Sequence, residues 1–265
     1  MSFDTWLDPT AWTLLLRAWG FNAAYEGSRY LVAAGGLCAL TQVLLRRRLA
    51  HRLIGRTPTG ADMRRELLYG ASSVLVFAGL GAVVLALVLD GRVEIYRDPA
   101  RHGWPWLLAS LPALIVWHDF YFYWTHRLLH TRWWFRRVHG VHHRSRHPSP
   151  WAAYAFHPVE ALLNGLVTPL ALLVVPVHGV VLLAFGLHQV VRSAHGHAAF
   201  ETMPVGFVRA PLWRLFTTTT HHHLHHEFGQ GNYGLWFTWW DRIAGTERAD
   251  YLQRFDLATR PRAER

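Results

Sequence analysis

Residues 67–89 form a run of 23 positions without a single charge, and this run limits the chain to few folds. A helix of that length covers the roughly 30 Å hydrocarbon layer of a bilayer. Three further runs accompany it. Residues 29–45 are mostly apolar. Residues 104–124 are apolar and aromatic, with His118 and Asp119 near their C-terminal end. Residues 159–191 are broken by Pro169, Pro176 and Gly179, and read as a helical hairpin turning near 176–179, with arms that barely span or re-enter. The pattern predicts an all-α integral membrane bundle of about four transmembrane helices, hairpin included, under a histidine-rich helical cap. The whole chain, 1–265, reads as a single membrane domain. The competing reading, core helices of a soluble protein, fits poorly with several uncharged runs near span length. Composition agrees: 51% of residues are apolar and only 17% charged, against the usual quarter.

All 27 basic residues are arginine, and the net charge is +10. They flank the apolar runs and follow no groove-binding motif, which speaks against a nucleic-acid partner. The charge instead favours the bilayer's anionic surface. Arg46, Arg47, Arg48, Arg52, Arg56, Arg64 and Arg65 lie between the first two runs, and the positive-inside bias places that loop in the cytoplasm. Alternation then puts residues 90–103 outside, and returns His126 and everything from His195 to the cytoplasmic face. The lone Cys38 allows neither an internal disulfide nor a cysteine-rich zinc site. Residues 1–8 have no basic region and contain Asp4 and Asp8, so no cleaved signal peptide is expected. The tail, residues 258–265, is expected to fray.

Histidine is the outlier: of 19, 17 lie between His118 and His226. In His126-Arg-Leu-Leu-His130 the i, i+4 spacing puts both imidazoles on one helix face, within reach of one metal. Asp119, seven residues earlier, is near that face, to hydrogen-bond an imidazole or bind metal itself. In His139-Gly-Val-His142-His143 the adjacent pair diverges by about 100° on a helix, which suits two metals or one metal at an irregular turn. His195-Gly-His197-Ala-Ala-Phe-Glu201 follows the hairpin. In His221-His222-His223-Leu-His225-His226 the register is open: His222, His225 and His226 repeat the second cluster, and His221 with His225 works equally. A solitary histidine is more often a packed core residue, and a histidine run can be an adventitious surface tract. Their joint placement on one membrane face argues for a specific site. More than one metal's worth of ligands is present. Imidazole alone does not choose between zinc, copper, iron and nickel. The metalloprotease H-E-x-x-H is absent, as are the Glu-x-x-His pairs of carboxylate-bridged di-iron bundles. Asp119, Glu160, Glu201, Glu227 and Asp241 are candidates to orient imidazoles.

At these residues the chain resembles the fatty acid hydroxylase and sterol desaturase superfamily. His126–His130, His139–His143 and His222–His226 resemble its three histidine boxes. Phe156-His157-Pro158-Val159-Glu160 is similar to its H-P-x-E element. His197-Ala-Ala-Phe-Glu201 is similar to its H-x-G-y-E element, with Ala199 in place of glycine. Asn232-Tyr233-Gly234 and Trp240-Asp241-Arg242-Ile-Ala-Gly245-Thr246 resemble its C-terminal signature. The hydroxylase-like region runs over approximately 105–250.

The resemblance implies two iron ions, dioxygen as co-substrate, and hydroxylation or desaturation of a membrane lipid. The implied ligands are His126, His130, His139, His142, His143, His222, His225 and His226, with His197 as a ninth. Asp119 and Glu201 are the expected catalytic carboxylates. His157, Glu160, His195, His221 and Asp241 are expected behind the ligands. No flavin, nicotinamide or haem fingerprint is present, so an external electron-donor protein is implied, with Arg136, Arg137, Arg144 and Arg146 as a docking surface or as headgroup contacts. Aromatic stretches such as Trp133-Trp134-Phe135 are expected at headgroup depth rather than in the substrate cavity. A histidine-rich metal transporter is the alternative; it needs polar residues along an ion path through the spans. A silent scaffold fits poorly with a complete set of boxes.

Overall fold

The computed structural model describes residues 9–261. Helix α1 runs from Pro9 to Leu44 and then bends by 74° into the short helical stretch Arg46–Arg52. It starts well before the expected run, because Arg17, Asn22 and Glu26 interrupt apolarity without interrupting helix propensity. Within it, Leu31–Gly35 and Ala39–Leu44 are wound as π-helix. Helix α2 (Gly60–Leu89) begins at a capping box: the Thr59 hydroxyl accepts from the Asp62 amide while the Asp62 carboxylate accepts from the Thr59 amide. At 30 residues it is about 45 Å long.

Helix α3 (Trp104–Leu129) carries Pro105 in its first turn and Pro112 in its interior. The missing amide of Pro105 costs nothing there, since first-turn amides have no intrahelical partner. The chain continues through α4 (Arg132–Arg137), 3-10 turns at His139–Arg144 and Pro150–Tyr154, and the short helices α5 (Pro158–Gly165) and α6 (Val167–Leu172). It reverses before β2 (Val177–His178), which pairs in parallel with β1 (Ile95–Tyr96). Helix α7 (Gly179–Gly196) follows, then α8 (Thr219–Phe228), α9 (Trp239–Ile243) and α10 (Tyr251–Thr259).

The all-α expectation holds apart from this two-residue ribbon. Among the described residues α2 alone is long and apolar enough to cross a membrane; α1 with its bent continuation passes if taken as one broken span. Helices form where the other two runs lie, and the hairpin turns near the expected prolines. Neither run reaches span length and apolarity together, so the expected four spans reduce to one or two by this measure. In α3 the cause is its Trp, Tyr, His and Asp content. In the hairpin the first arm is split into α5 and α6. The expected fraying of the tail is corrected at Ala258 and Thr259, which are buried in α10. Tyr251 and Phe255 of that helix pack against Val208 and Leu224. The readings on residues 1–8 and 262–265 lie outside the described residues.

One core cluster joins α1, α2, α5 and α7 through Tyr30, Ala34, Val74, Tyr154, Ala161 and Ala194. The small side chains let the helices approach closely. At Gly35 the fit is tight enough that a Cβ would stand 2.8 Å from the Trp151 ring. Outward, Leu68, Leu75, Val83 and Leu89 of α2 and Val180, Leu183, Leu187 and Val191 of α7 are exposed apolar side chains.

Candidate metal centre

Four segments that are distant in sequence deliver imidazoles to one buried place. The last turns of α3 supply His126 and His130 from one face. The 3-10 turn after α4 supplies His139, His142 and His143. The end of α7 supplies His197, and α8 supplies His222, His225 and His226. They sort into two groups, His126, His130, His139, His143 and His225, and His142, His197, His222 and His226; within each, the facing nitrogens lie within 4.8 Å of one another. Adjacent histidines part company, His225 from His226 by the roughly 100° step of the α-helix and His142 from His143 by the roughly 120° step of the 3-10 turn. The open register in α8 resolves to His222, His225 and His226. His221 lies outside both groups, edge-on to Tyr251 and 3.6 Å from the Asp241 carboxylate.

In the first group the Nε2 of His139 stands 3.1 Å from that of His126 and 3.0 Å from that of His130. His225 Nε2 stands 3.1 Å from those of both His130 and His143. In the second, His197 Nε2 is 3.0 Å from His222 and 3.2 Å from His226. The opposite ring nitrogens fix which atom carries the proton. His126 Nδ1–H donates to the Tyr233 carbonyl at 2.8 Å, and His225 Nδ1–H to that of Gly231 at 2.8 Å. His197 Nδ1–H donates to the Ser193 carbonyl at 2.6 Å, and His142 Nδ1–H to that of Ala155 at 3.3 Å. His139 Nδ1–H donates to Glu160 Oε1 at 2.7 Å. A carbonyl can only accept, so these rings turn bare Nε2 lone pairs inward.

Burial pushes the pKa of His139, His142, His143, His222, His225 and His226 well below the ordinary histidine value, with neighbouring imidazoles adding to it. His197 falls to about 4, also by burial. The rings are therefore neutral at physiological pH and available as ligands. With Nδ1 protonated on both His126 and His139, their Nε2 atoms face each other as lone pairs at 3.1 Å, which is not a hydrogen bond. They repel unless a cation lies between them, so the donor set fits two metal ions.

The carboxylates divide differently from expectation. Among the described carboxylates, Glu160 alone touches an imidazole of the two groups. Asp119, expected to bind metal or a ligand, instead accepts from the amides of Trp236 and Phe237 and the indole of Trp239. Glu201 accepts from the Thr220 amide and hydroxyl and the Met203 amide, fixing the start of α8. Asp241 accepts from the amides of Tyr233 and Gly234, which holds the Tyr233 carbonyl under His126. His157 caps α5 through the Val159 amide, and His195 is bonded to Arg192 and Thr202. The carbonyls of Ala155, Ser193, Gly231 and Tyr233 were missed, because a carbonyl's direction leaves no mark on residue type.

Ala199, at the position where the sequence pattern has glycine, adopts φ +64°. A side chain there costs on the order of 1–2 kcal/mol. The loop keeps its shape: the Ala199 carbonyl accepts from the Ile54 amide at 2.9 Å, and His197 stays in its group.

A cavity of about 840 Å³ connects the centre to α1. His126, His139, His142 and His197 form one end, and Phe122, Leu129, Phe156, Leu172, Phe185 and Leu235 line much of its wall. Trp133 is 57% exposed and is not among the residues lining the cavity.

The fatty acid hydroxylase family profile matches residues 111–246, just over half of the chain. Mouse lathosterol oxidase is 36% identical over 194 residues, covering 70% of this chain and 61% of its own length. A Delta(7)-sterol 5(6)-desaturase of Aspergillus fumigatus is 29% identical, covering 71% of this chain and 63% of its own. Rat methylsterol monooxygenase 1 is 30% identical, with 54% of this chain and 48% of that protein covered. This chain thus spans less than two thirds of each of these relatives. No solved structure matches it. With the matched region containing every residue of the two histidine groups, the chain belongs to the fatty acid hydroxylase family, within the fatty acid hydroxylase and sterol desaturase superfamily.

Proposed function

We propose that this chain is a membrane-embedded oxidoreductase that oxidises a C–H bond of a lipid with dioxygen. The observation that carries it is the opening of a largely apolar cavity onto His126, His139, His142 and His197, four of the nine imidazoles gathered in the two groups. The ligands are the nine histidines of the two groups, and the metals are two iron ions, which supply dioxygen activation when bound. Hydroxylation consumes one O2, two electrons and two protons, and yields an alcohol and water. Desaturation consumes the same reagents and yields an alkene and two waters. The electrons come from a separate donor protein, since the chain carries no flavin, nicotinamide or haem motif.

The protein's own residues have three tasks. The Nδ1 bonds to Tyr233, Ala155, Ser193, Gly231 and Glu160 hold the rings in one tautomer and one orientation. The apolar cavity wall orients the lipid and keeps bulk water from the reacting carbon. The exposed apolar faces of α2 and α7 meet acyl chains, and the lipid enters from that side. The positive-inside bias of the arginines at 46–48, 52, 56, 64 and 65 supports a centre on the cytoplasmic face. Relatives named for sterol chemistry make a sterol the first substrate to test.

The test compares lipid extracts, by mass spectrometry, of cells expressing the intact chain and His142→Ala. A lipid that gains one oxygen or loses two hydrogens only with the intact chain is expected. Identical lipid profiles, or purified protein without stoichiometric iron, overturn the reading.

A further inference from the structure

The cavity wall is largely apolar, with scattered polar side chains such as Asn22, Asn164 and Gln189, and it holds one buried ion pair removed from the histidines. There Glu26 and Arg29 of α1 form an ion pair at 2.5 Å, one turn apart. Tyr154 closes a triangle, its hydroxyl 3.3 Å from both Arg29 Nη2 and Glu26 Oε2. All three line the cavity. The Arg29 and Glu26 side chains are only 12% and 16% exposed, and Tyr154 is 7% exposed. Arg29 Nε is buried with no partner among the described residues.

The surroundings are shaped to this triangle. A Cβ at Gly186 of α7 would clash with Arg29 Nη1, so glycine makes room for the guanidinium there. Tyr154 stacks on Tyr30 at 4.9 Å and takes the edge of Phe77. The same segment and helix also serve the histidines. Ala155, next to Tyr154, accepts from His142, and Ser193, seven residues beyond Gly186 on α7, accepts from His197. Seven residues of helix are about 10 Å. The triangle is thus too far to touch the reacting atoms and near enough to fix the far end of a bound lipid.

We propose that Glu26, Arg29 and Tyr154 are specificity-determining residues that hold an uncharged hydroxyl group of the lipid; this rests on the lipid-oxidising reading above. The charge balance selects the ligand. Glu26 already neutralises Arg29, so a carboxylate or phosphate brings a second anion beside Glu26, and an ammonium brings a second cation beside Arg29. A hydroxyl does neither: it accepts from the Arg29 guanidinium and donates to Glu26 or Tyr154. Arg17 and Arg97 also border the cavity but are exposed, where water and salt screen them. An unpartnered guanidinium N–H in an apolar wall is costly when the ligand offers nothing, which turns the site against hydrocarbons.

The test is equilibrium competition against radiolabelled cholesterol on the metal-loaded full chain in nanodiscs. The competitors are cholesterol, its deoxy hydrocarbon and cholesteryl sulfate. The wild type is expected to bind the alcohol about tenfold more tightly than the hydrocarbon, and more tightly than the sulfate. Glu26→Gln with Arg29→Gln is expected to bind alcohol and hydrocarbon about equally, with its iron content unchanged. Should that double variant lose iron or fail to fold, Tyr154→Phe keeps both ring contacts and is expected to reduce the preference several-fold. Wild type that binds the hydrocarbon as well as the alcohol, prefers the sulfate, or binds none overturns the proposal. So does a folded variant with undiminished preference. Iron content and oxygen-dependent turnover are separate readouts: alcohol selectivity without turnover sinks the catalytic reading and leaves this one standing.

Discussion

His139 Nδ1 lies 2.7 Å from Glu160 Oε1, and each side chain is 1% exposed. Among the described residues no other carboxyl group touches an imidazole of the two groups. Burial pushes the Glu160 pKa well above the ordinary carboxylate value, so a bound cation is what favours its charged form. The carboxylate holds the ring's tautomer and raises the basicity of Nε2. Glu160→Leu is expected to lower metal affinity about 10–100-fold, whereas Glu160→Gln, which keeps an acceptor, loses less. Titration of the metal-free protein with ferrous iron measures both. Equal affinity of Glu160→Leu and wild type contradicts the role.

The separation of adjacent histidines makes a sharper expectation. His225 belongs to the five-membered group and His226 to the four-membered one. His225→Ala and His226→Ala should therefore each weaken a different metal, and elemental analysis after dialysis should find bound iron falling from two per chain toward one in both. His221→Asn should keep both ions, since His221 faces Tyr251 rather than either group. Loss of iron from His221→Asn to the level of His225→Ala would show that the groups are drawn wrongly.

Much of this arrangement is legible in the sequence, and the boundary of what is legible has a physical cause. A spacing of four on a helix, or an adjacent pair diverging by roughly 100° to 120°, is fixed by backbone geometry, so the sorting of His142 from His143 follows from position alone. The role of an acid is not fixed that way. Asp119 is expected near the metals because it stands seven residues before His126, and Glu201 because it ends the His197–Glu201 element that resembles the family's. A carboxylate that satisfies backbone amides sits in the same sequence context, and the folded chain uses both for that purpose. The Glu26–Arg29–Tyr154 triangle was invisible because Tyr154 reaches it from far along the chain. The early start of α1 was missed because an apolar run reports where lipid or core is met, not where a helix begins.

The buried imidazoles also set an acid limit for the metal-free protein. Their folded pKa values lie well below 6.5 because burial disfavours the charged form. In the unfolded chain they protonate near pH 6.5. Below that pH the unfolded state binds more protons than the native state, so stability is complete above about pH 6.5 and falls as the pH drops through 6 and 5. Each such group contributes a slope of about 1.4 kcal/mol per pH unit once it is protonated only in the unfolded state. Thermal unfolding of chelator-treated protein should show Tm falling steeply from pH 7 to pH 5. Iron loading should move that fall to lower pH, because metal competes with protons for the same lone pairs. A flat Tm over this range would mean that the rings are solvated and not gathered.

Ala199 offers a test of strain beside the centre. Its φ of +64° belongs to the left-handed region, where an L side chain costs on the order of 1–2 kcal/mol. Ala199→Gly removes that cost and loses about 0.5–1 kcal/mol through the greater freedom of glycine in the unfolded chain. The net expectation is a change between about 0 and a gain of about 1.5 kcal/mol. Ala199→Val should go the other way and destabilise by more than it, since a β-branched side chain tolerates the left-handed region poorly. The Ala199 carbonyl receives the Ile54 amide and His197 lies two residues earlier, so the valine variant should also bind iron more weakly. Denaturant melts and iron titration of the two variants measure both effects. A glycine variant that is clearly less stable than wild type would show that this backbone conformation is not a strain on the loop.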